Sequence, residues 1–162
     1  MADMFRPVPI EQEPKRKNRY VLEFPTELGI ESYLVQTSGK PSLNIGKTEI
    51  PYMNTSTFVA GRSVWQTLEV KFIDVIGPST TQKVMEWVRL HFESATGRMG
   101  YAMGYKKNLI LKALDPTGVE VEKWTLVGCQ IESSKFDDYD YGADDVSTVS
   151  ITIQPDRCLL DA

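Results

Sequence analysis

Histidine and cysteine are scarce in this chain, which has one histidine and two cysteines among 162 residues. Cys129 and Cys158 lie far apart and outside any C-x-x-C pattern, so the sequence predicts buried reduced thiols instead of a zinc site or a disulfide framework. His91 falls on the apolar stripe of a predicted helix, where a packed ring is the expected structure. Three glycines follow that helix instead of opening it, the reverse of a phosphate-binding loop. We therefore expect no enzyme and no cofactor.

Long apolar runs are also missing. No stretch approaches the roughly 20 apolar residues that cross a bilayer, and the N-terminus lacks the apolar segment of a secretory signal. We expect no membrane anchor and folding in the cytoplasm. The net charge of −4 disfavours tight nonspecific DNA binding, because that affinity comes from many Lys and Arg contacts with phosphates. We expect no stable binding to nucleic acid.

Apolar and polar residues alternate with a period of two in several segments, which predicts half-buried strands. One such run contains Leu68, Val70 and Phe72 on one face and Glu69 on the other. The runs cover residues 19–24, 32–37, 66–74, 105–114, 119–127, 129–136 and 146–153. We expect the first two to pair as a hairpin. The whole pattern predicts a mainly β fold, a β-sandwich or barrel of about seven strands with one packed α-helix.

The domain is expected over residues 19–156, with a proline-rich extended arm at 1–18 and a C-terminal tail at 157–162. Residues 38–62 carry scattered glycines, prolines and apolar side chains, which predicts a long protruding loop or irregular hairpin. The helix is predicted to follow Pro78 and to end near Gly97. Its apolar stripe consists of Val84, Met85, Val88, His91, Phe92 and Ala95.

The acidic run FDDYDYGADDV, residues 136–146, is the most conspicuous charged cluster. Asp138, Asp140 and Gly142 match part of a calcium-binding loop, but Val149 stands where that loop needs a bidentate glutamate. The sequence therefore favours a solvated or interface loop over a calcium site. The three tryptophans lie in three different elements, which favours a core role over a base-stacking platform.

Two long segments resemble the tail tube proteins of contractile-tailed phages and related contractile injection systems. LVGCQIESSKFDDYDYGADDVSTVSITIQPD is similar to the closing segment of that family, with its glycine step, acidic Asp-Tyr loop and final alternating strand. GKPSLNIGKTEIPYMNTSTFVAGRSVWQTLEVKFID is similar to the family's long loop and following strand. The resemblance continues through Met85-Glu86-Trp87 and covers residues 18–156. The ends of the chain differ from the family's pattern.

The resemblance implies a structural subunit that forms stacked hexameric rings around a channel for DNA passage, inside a contractile sheath. Its implied partners are further copies of itself, the tail sheath protein, baseplate and terminator proteins, and the tape-measure protein and genomic DNA in the lumen. Its implied location is the virion tail, assembled in the host cytoplasm. A tube-initiator or tube-terminator paralogue in the baseplate or neck stays open as an alternative. A small-molecule-binding β-barrel or injected effector, which would need a closed apolar pocket, is an alternative of another class.

Three sets of surface residues are expected to mediate this assembly. The inter-ring interface is predicted at Ile45, Ile50, Tyr52, Met53, Asn54 and Phe58, unless the loop folds back on its own barrel. The sheath-facing side of the helix is predicted at Glu86, Arg89 and Glu93. An acidic or neutral channel wall, which would not hold DNA, has as candidates Glu69, Glu120, Glu122, Ser150 and Thr152.

Overall fold

The computed structural model describes residues 11–161, so residues 1–10 of the predicted arm lie outside it. Within that range the strands are β1 (Tyr20–Glu23), β2 (Val35–Ser38), β3 (Leu43–Tyr52), β4 (Thr55–Trp65), β5 (Leu68–Ile73), β6 (Phe92–Glu93), β7 (Arg98–Met99), β8 (Lys107–Leu114), β9 (Glu120–Phe136), β10 (Thr148–Gln154) and β11 (Arg157–Asp161). The helices are α1 (Thr80–His91) and the single turn α2 (Ala102–Tyr105). The mainly β fold with one long helix is confirmed.

Seven of these strands form one antiparallel sheet that folds over at β9 into two layers. The first layer has the order β1-β8-β9-β11, and the second has the order β9-β10-β5-β2. The two layers share one apolar core. That core includes Leu22, Leu109, Leu111 and Leu126 from the first layer and Val70, Phe72, Val149, Ile151 and Ile153 from the second.

The bend in β9 depends on Gly128. The first half of the strand pairs with β8 and β11 and the second half pairs with β10, so one 17-residue strand serves both layers. Gly128 has a φ of +67°, and a Cβ there would lie 2.3 Å from Oδ2 of Asp156. Any larger residue would therefore be strained and would clash. The strands expected separately at 119–127 and 129–136 are therefore the two halves of one strand, which are joined at Gly128.

The sandwich is open between β1 and β2, so it is not a closed barrel. β1 pairs with β8 and β2 pairs with β5, which corrects the predicted hairpin between the first two runs. The chain between them forms two 3-10 turns that bury Leu28, Ile30 and Leu34 and carry β2 to the other layer. The Tyr20 hydroxyl bridges the gap by donating to the Gln36 carbonyl at 3.0 Å.

The C-terminal residues belong to the sheet and not to a tail. Strand β11 pairs with β9 along its whole length, from Arg157 opposite Val127 to Asp161 opposite Lys123. Cys158 enters the core at 6% exposure, and this burial holds the strand against the layer. The domain boundary expected at residue 156 therefore falls inside the sheet.

Helix α1 is shorter than its apolar stripe predicts. Thr81 donates its hydroxyl to Asp74 at 2.8 Å at the start of the helix, and Thr80 donates to the Ile73 carbonyl at 3.0 Å. Phe92 has an extended φ of −150° and ends the helix. Phe92 is 43% exposed and Ala95 is also exposed, so the stripe predicted to reach them ends at His91. In residues 11–161, neither helix has the length and apolar character of a membrane span.

The predicted long loop is a two-stranded hairpin that stands apart from the sandwich. β3 and β4 pair with each other from Leu43 opposite Trp65 to Tyr52 opposite Thr55. Met53, with a φ of +51°, and Asn54 form the two-residue tip. The backbone of Gln66 donates to Ser42 at 2.9 Å and closes the base. The protruding hairpin is thus confirmed.

Candidate assembly surfaces

The β3–β4 hairpin has apolar side chains on both of its faces. Because side chains alternate along a strand, paired residues of β3 and β4 share a face. One face carries Leu43, Ile45 and Phe58, whereas the other carries Ile50, Tyr52 and Val59. These six side chains are between 42% and 69% exposed. Neither face is therefore packed against the sandwich, and the alternative that the loop folds back on its own domain is not what the chain adopts.

Contacts within the hairpin hold its shape. Ser56 donates to Glu49 at 2.6 Å, and Thr55 donates to the Tyr52 carbonyl at 3.0 Å beside the tip. The Lys47 ammonium lies 4.8 Å from the centre of the Phe58 ring. The tip is the most exposed part, with Met53 at 87%. All six residues predicted at the inter-ring interface therefore lie together on this element, and all are exposed.

A close approach of two glycines shapes the middle of the hairpin. The register shifts between Ile45 and Lys47, where β4 contains one more residue than β3. A Cβ on Gly61 would lie 3.2 Å from the carbonyl carbon of Gly46. Side chains at these positions would push the strands apart, so the glycines permit the bulge and the bend that accompanies it.

The outer surface of α1 carries the charges that the sequence predicts. Glu86 and Arg89 are exposed on the helix, next to Leu90 at 42% exposure. Glu93 was expected on the same helix face, but it lies in β6, beyond the helix end. There it pairs with Arg98 across the short hairpin and accepts a hydrogen bond from Thr96 at 2.8 Å. The helix surface therefore comprises Glu86 and Arg89 without Glu93.

His91 joins the helix to the sheet. Its Nε2 accepts a hydrogen bond from the backbone N–H of Ile131 at 3.2 Å, so its Nδ1 carries the proton and donates to the Trp87 carbonyl at 3.0 Å. The ring stacks on Tyr105 with 4.3 Å between centroids. Desolvation lowers the pKa of His91 below its ordinary value. The packed helix histidine predicted from the sequence is confirmed.

The candidate channel residues do not form one surface. Glu69, Ser150 and Thr152 share the outer face of the second layer, where Thr152 is opposite Glu69 and Ser150 is opposite Lys71. Lys135 lies on the other side of Ser150 on the same face. This face is therefore rich in hydroxyl groups and mixed in charge, and it is not acidic.

The other two candidates, Glu120 and Glu122, are separated by a bulge in β9. The register shifts between Ala113 and Leu114, so Glu120 and Glu122 point to opposite sides of the first layer. Glu120 pairs with Lys112 at 3.5 Å on the outer side. Glu122 faces inward and is only 8% exposed. The alternating pattern alone gave no sign of this inversion.

Glu122 is the centre of an ion-paired cluster that the sequence did not reveal. Its carboxylate pairs with Lys15 of the arm and with Lys40 at 2.8 Å, and it accepts from the Trp124 indole at 2.5 Å. Hydrogen bonds from Lys15, Lys40 and Trp124 lower the pKa of Glu122 to about 2. The cluster ties the arm and the base of the hairpin to the first layer. Lys40 lies 82 positions from Glu122 in sequence, so no local motif could have indicated the contact.

The acidic loop between β9 and β10 is exposed throughout residues 137–146. Tyr139 is 94% exposed and Tyr141 is completely exposed. Asp140 accepts from the Gly142 backbone at 2.9 Å, and Asp137 accepts from the backbone of Asp138 at 3.0 Å. No group of three or more metal-ligating side chains occurs among the described residues.

An open groove with a volume of about 770 Å³ lies between edge strands β1 and β2 and is lined by Tyr20, Leu22, Tyr33 and Val35 among others. Cys129 and Cys158 are buried free thiols, as predicted. Desolvation raises the pKa of Cys129 to about 12 and that of Cys158 to about 11, which makes both poor nucleophiles.

Comparison with known proteins identifies the fold through structure and not through sequence. No protein-family model matches this chain, and no curated protein matches it. Its structure matches a chain in the cap of the anti-feeding prophage, described as a tube terminating cap, with a TM-score of 0.73 and 15% identity over 100% of this chain and 99% of that chain. It also matches a chain in the sheath/tube terminator of the PVC extracellular contractile injection system, with a TM-score of 0.74 and 13% identity over 93% and 99% of the two chains.

A third match is to a chain in the PVC sheath-tube complex in its extended state. The TM-score is 0.71 and the identity 13%, over 98% of this chain and 94% of that chain. These matches span nearly the whole of both chains. The chain therefore has the fold of tube-related components of contractile injection systems, and the resemblance predicted from the sequence is confirmed at the level of the fold.

Proposed function

We propose that this chain is a structural, non-enzymatic subunit of the tube of a contractile phage tail or related injection system, where it forms stacked hexameric rings around a channel. The observation that carries the proposal is the β3–β4 hairpin, which exposes apolar side chains on both faces. The match between the fold of this chain and that of a chain in a sheath-tube complex also supports the proposal. The proposed location is the assembled tail, built in the host cytoplasm.

The hairpin supports stacking because a free two-stranded ribbon gains little by folding alone. Exposed apolar surface of this extent is typical of protein–protein contacts. A partner on each face would bury Leu43, Ile45 and Phe58 on one side and Ile50 and Tyr52 on the other. Insertion between two subunits of the adjacent ring satisfies both faces at once, and ring closure and stacking provide such neighbours by symmetry.

The helix surface and one sheet face supply the remaining proposed contacts. Glu86 and Arg89 face a sheath subunit, as screened surface charges. The hydroxyl-rich outer face with Glu69, Ser150 and Thr152 lines the channel. The named charges of this face, one carboxylate at Glu69 and two ammonium groups at Lys71 and Lys135, leave one excess positive charge per subunit, so the proposed wall is mixed in charge and rich in hydroxyl groups and is not acidic.

Tube terminator is a second candidate role, favoured by two of the structural matches. One matched chain belongs to a tube terminating cap and another to a sheath/tube terminator. A terminator would form single rings that bind the end of a tube and stop its growth. A tube subunit would add to its own rings without limit, so the length distribution of the purified assembly separates the two roles.

The test is negative-stain imaging and sedimentation of the purified chain. We expect rings or tubes from the wild type, and folded but unstacked protein from a Tyr52→Ser, Met53→Ser double variant. The matched control is Tyr101→Ser with Met103→Ser, which changes the same residue types at still more exposed positions outside the hairpin and should leave stacking unchanged. Circular dichroism verifies folding. A wild type that stays monomeric at high concentration, or normal tubes from the hairpin variant, would refute the proposal.

A further inference from the structure

A basic cleft with an apolar floor lies at the end of the first layer that holds Glu122. It has a volume of about 540 Å³, and its floor is formed by Leu111, Ala113 and Trp124. Six basic residues line it, namely Lys15, Arg16, Lys17, Arg19, Lys40 and Lys112. On a chain with a net charge of −4 this is a local reversal of sign.

The positive charge of the cleft is only partly neutralised by the chain itself. Lys15 and Lys40 pair with Glu122, and Lys112 pairs with two glutamates. Arg16, Lys17 and Arg19 make no ion pair within residues 11–161. Residues 11–19, which comprise the described part of the arm and Arg19 beyond it, contain four basic residues and two glutamates, so they keep an excess of positive charge. The cleft is therefore suited to an acidic segment with an apolar or aromatic side chain.

The acidic loop, residues 137–146, has the complementary composition. It carries five aspartates and no basic residue, and Tyr139 and Tyr141 project into solvent without packing. Leaving two tyrosine rings uncovered is unfavourable unless a partner covers them. The loop is the most negative segment of the described chain and the cleft the most positive.

No ion pair joins the loop to the cleft within one copy of the described chain. The cleft includes Trp124 near the start of β9, and the loop begins directly after Phe136 at its end. The two charged regions thus lie toward opposite ends of the strand that joins the layers.

We propose that the basic cleft of one copy receives the acidic loop of a second copy, with tyrosine rings on the apolar floor and aspartates facing Arg16, Lys17 and Arg19. Different surfaces of the two copies meet, so the contact is head-to-tail and can repeat along an axis or around a ring. The inference rests on the proposed self-assembling function and names the surfaces that set the direction of assembly. Oppositely charged ends also disfavour head-to-head pairing, since like charges would face each other.

Charge reversal tests this contact. Arg16→Glu with Lys17→Glu in the cleft, or Asp138→Lys with Asp140→Lys in the loop, should each lower the amount of sedimenting assembly at low salt by about tenfold. The combined variant should regain much of the assembly, because the reversed charges again attract. Lys83→Glu with Arg98→Glu changes the net charge as much as the cleft variant does, outside both regions, and should assemble normally. Added salt should weaken wild-type assembly, since screening at 0.1 M acts over about 10 Å.

A second measurement identifies the occupant directly. Copies carrying Tyr141→Cys are mixed with copies carrying Lys17→Cys and treated with a short thiol crosslinker, the native cysteines being buried. A covalent dimer that appears only in the mixture supports the proposal. No dimer in a mixture that does assemble would overturn it and would indicate that the cleft takes another partner.

The two proposals fail in different ways. Wild-type protein that never forms rings or tubes contradicts the tube function and this inference with it. Wild-type protein that assembles while both single-region reversals assemble equally well contradicts only the loop-in-cleft contact. Circular dichroism of each variant shows whether a loss of assembly reflects a loss of folding.

Discussion

The sandwich and the β3–β4 hairpin of this chain treat the same kind of side chain in opposite ways. Phe72 in β5 is fully buried between the layers, with its ring 5.5 Å from that of Phe24. Phe58 in β4 is 54% exposed, and the Lys47 ammonium lies 4.8 Å from the centre of its ring. Both strands have antiparallel partners. Strand pairing alone therefore does not bury a side chain, and only the strands that also pack against a second layer contribute their apolar residues to the stability of the monomer.

Removing the Phe72 and Phe58 rings in separate variants should give the greatest difference in the free energy of unfolding. Phe72→Ala should lower the free energy of unfolding by about 3–5 kcal/mol, because it opens a cavity in the core. Phe58→Ala should cost the monomer less than about 1 kcal/mol, since its ring is half exposed. Urea unfolding of both variants measures the difference. Equal losses would mean that the hairpin is part of the folding unit and would remove the distinction.

Glu122 connects the two regions through Lys40, at the base of the hairpin. Replacing Glu122 by Gln should cost about 1.5–3 kcal/mol at neutral pH, the range for hydrogen bonds to a charged group. Glu120→Gln, on the outer face, should change stability little. Because the pKa of Glu122 is lowered from 4.5 to about 2, its contribution is present above pH 4.5 and is lost as pH falls towards 2. The wild-type and Glu122→Gln stability curves should therefore converge in acid; a constant gap down to pH 2 would contradict the cluster.

A smaller effect is expected from His91, which the sandwich holds in its neutral form. Its lowered pKa means that the unfolded chain binds a proton first as pH falls below 6.5, so folding stability declines from that value downward. In a His91→Gln variant the amide oxygen can still accept a hydrogen bond from the Ile131 N–H, but the side chain does not titrate. The folding stability of this variant should therefore decline less between pH 6.5 and pH 5 than that of the wild type. Thermal unfolding across this range measures the effect, and parallel curves would argue against a neutral, buried ring.

Alternation of apolar residues made the strands predictable but not their partners. The alternating apolar and polar residues around Leu22 and Val35 correctly indicate β1 and β2. This local pattern does not show that β1 pairs with β8, which lies about 90 residues later in the chain. Strand β11 went unrecognised because only Cys158 of its five residues is buried. The stripe of α1 was extended too far because Phe92 and Ala95 fit a helical period, although both are exposed.

Exposed apolar residues were predictable from the sequence where they stand in a segment rich in glycine and proline, which indicates a protruding loop. Ile45, Tyr52 and Met53 were found in this way. Charged residues were less predictable, since a bulge places Glu120 and Glu122 on opposite sides of the first layer and the end of α1 places Glu93 in β6. A change of register by one residue inverts every following side chain, and the sequence pattern does not mark where it occurs.

Amide hydrogen exchange of the hairpin, compared before and after assembly, measures whether neighbouring subunits cover the β3–β4 hairpin. In the monomer, residues 43–65 should exchange much faster than β5, β9 and β10, because few buried contacts oppose their opening. After assembly the hairpin amides should become as protected as those of the sandwich, while the sandwich changes little. Hairpin protection that stays the same in free and assembled protein would contradict the claim that neighbouring subunits complete this element.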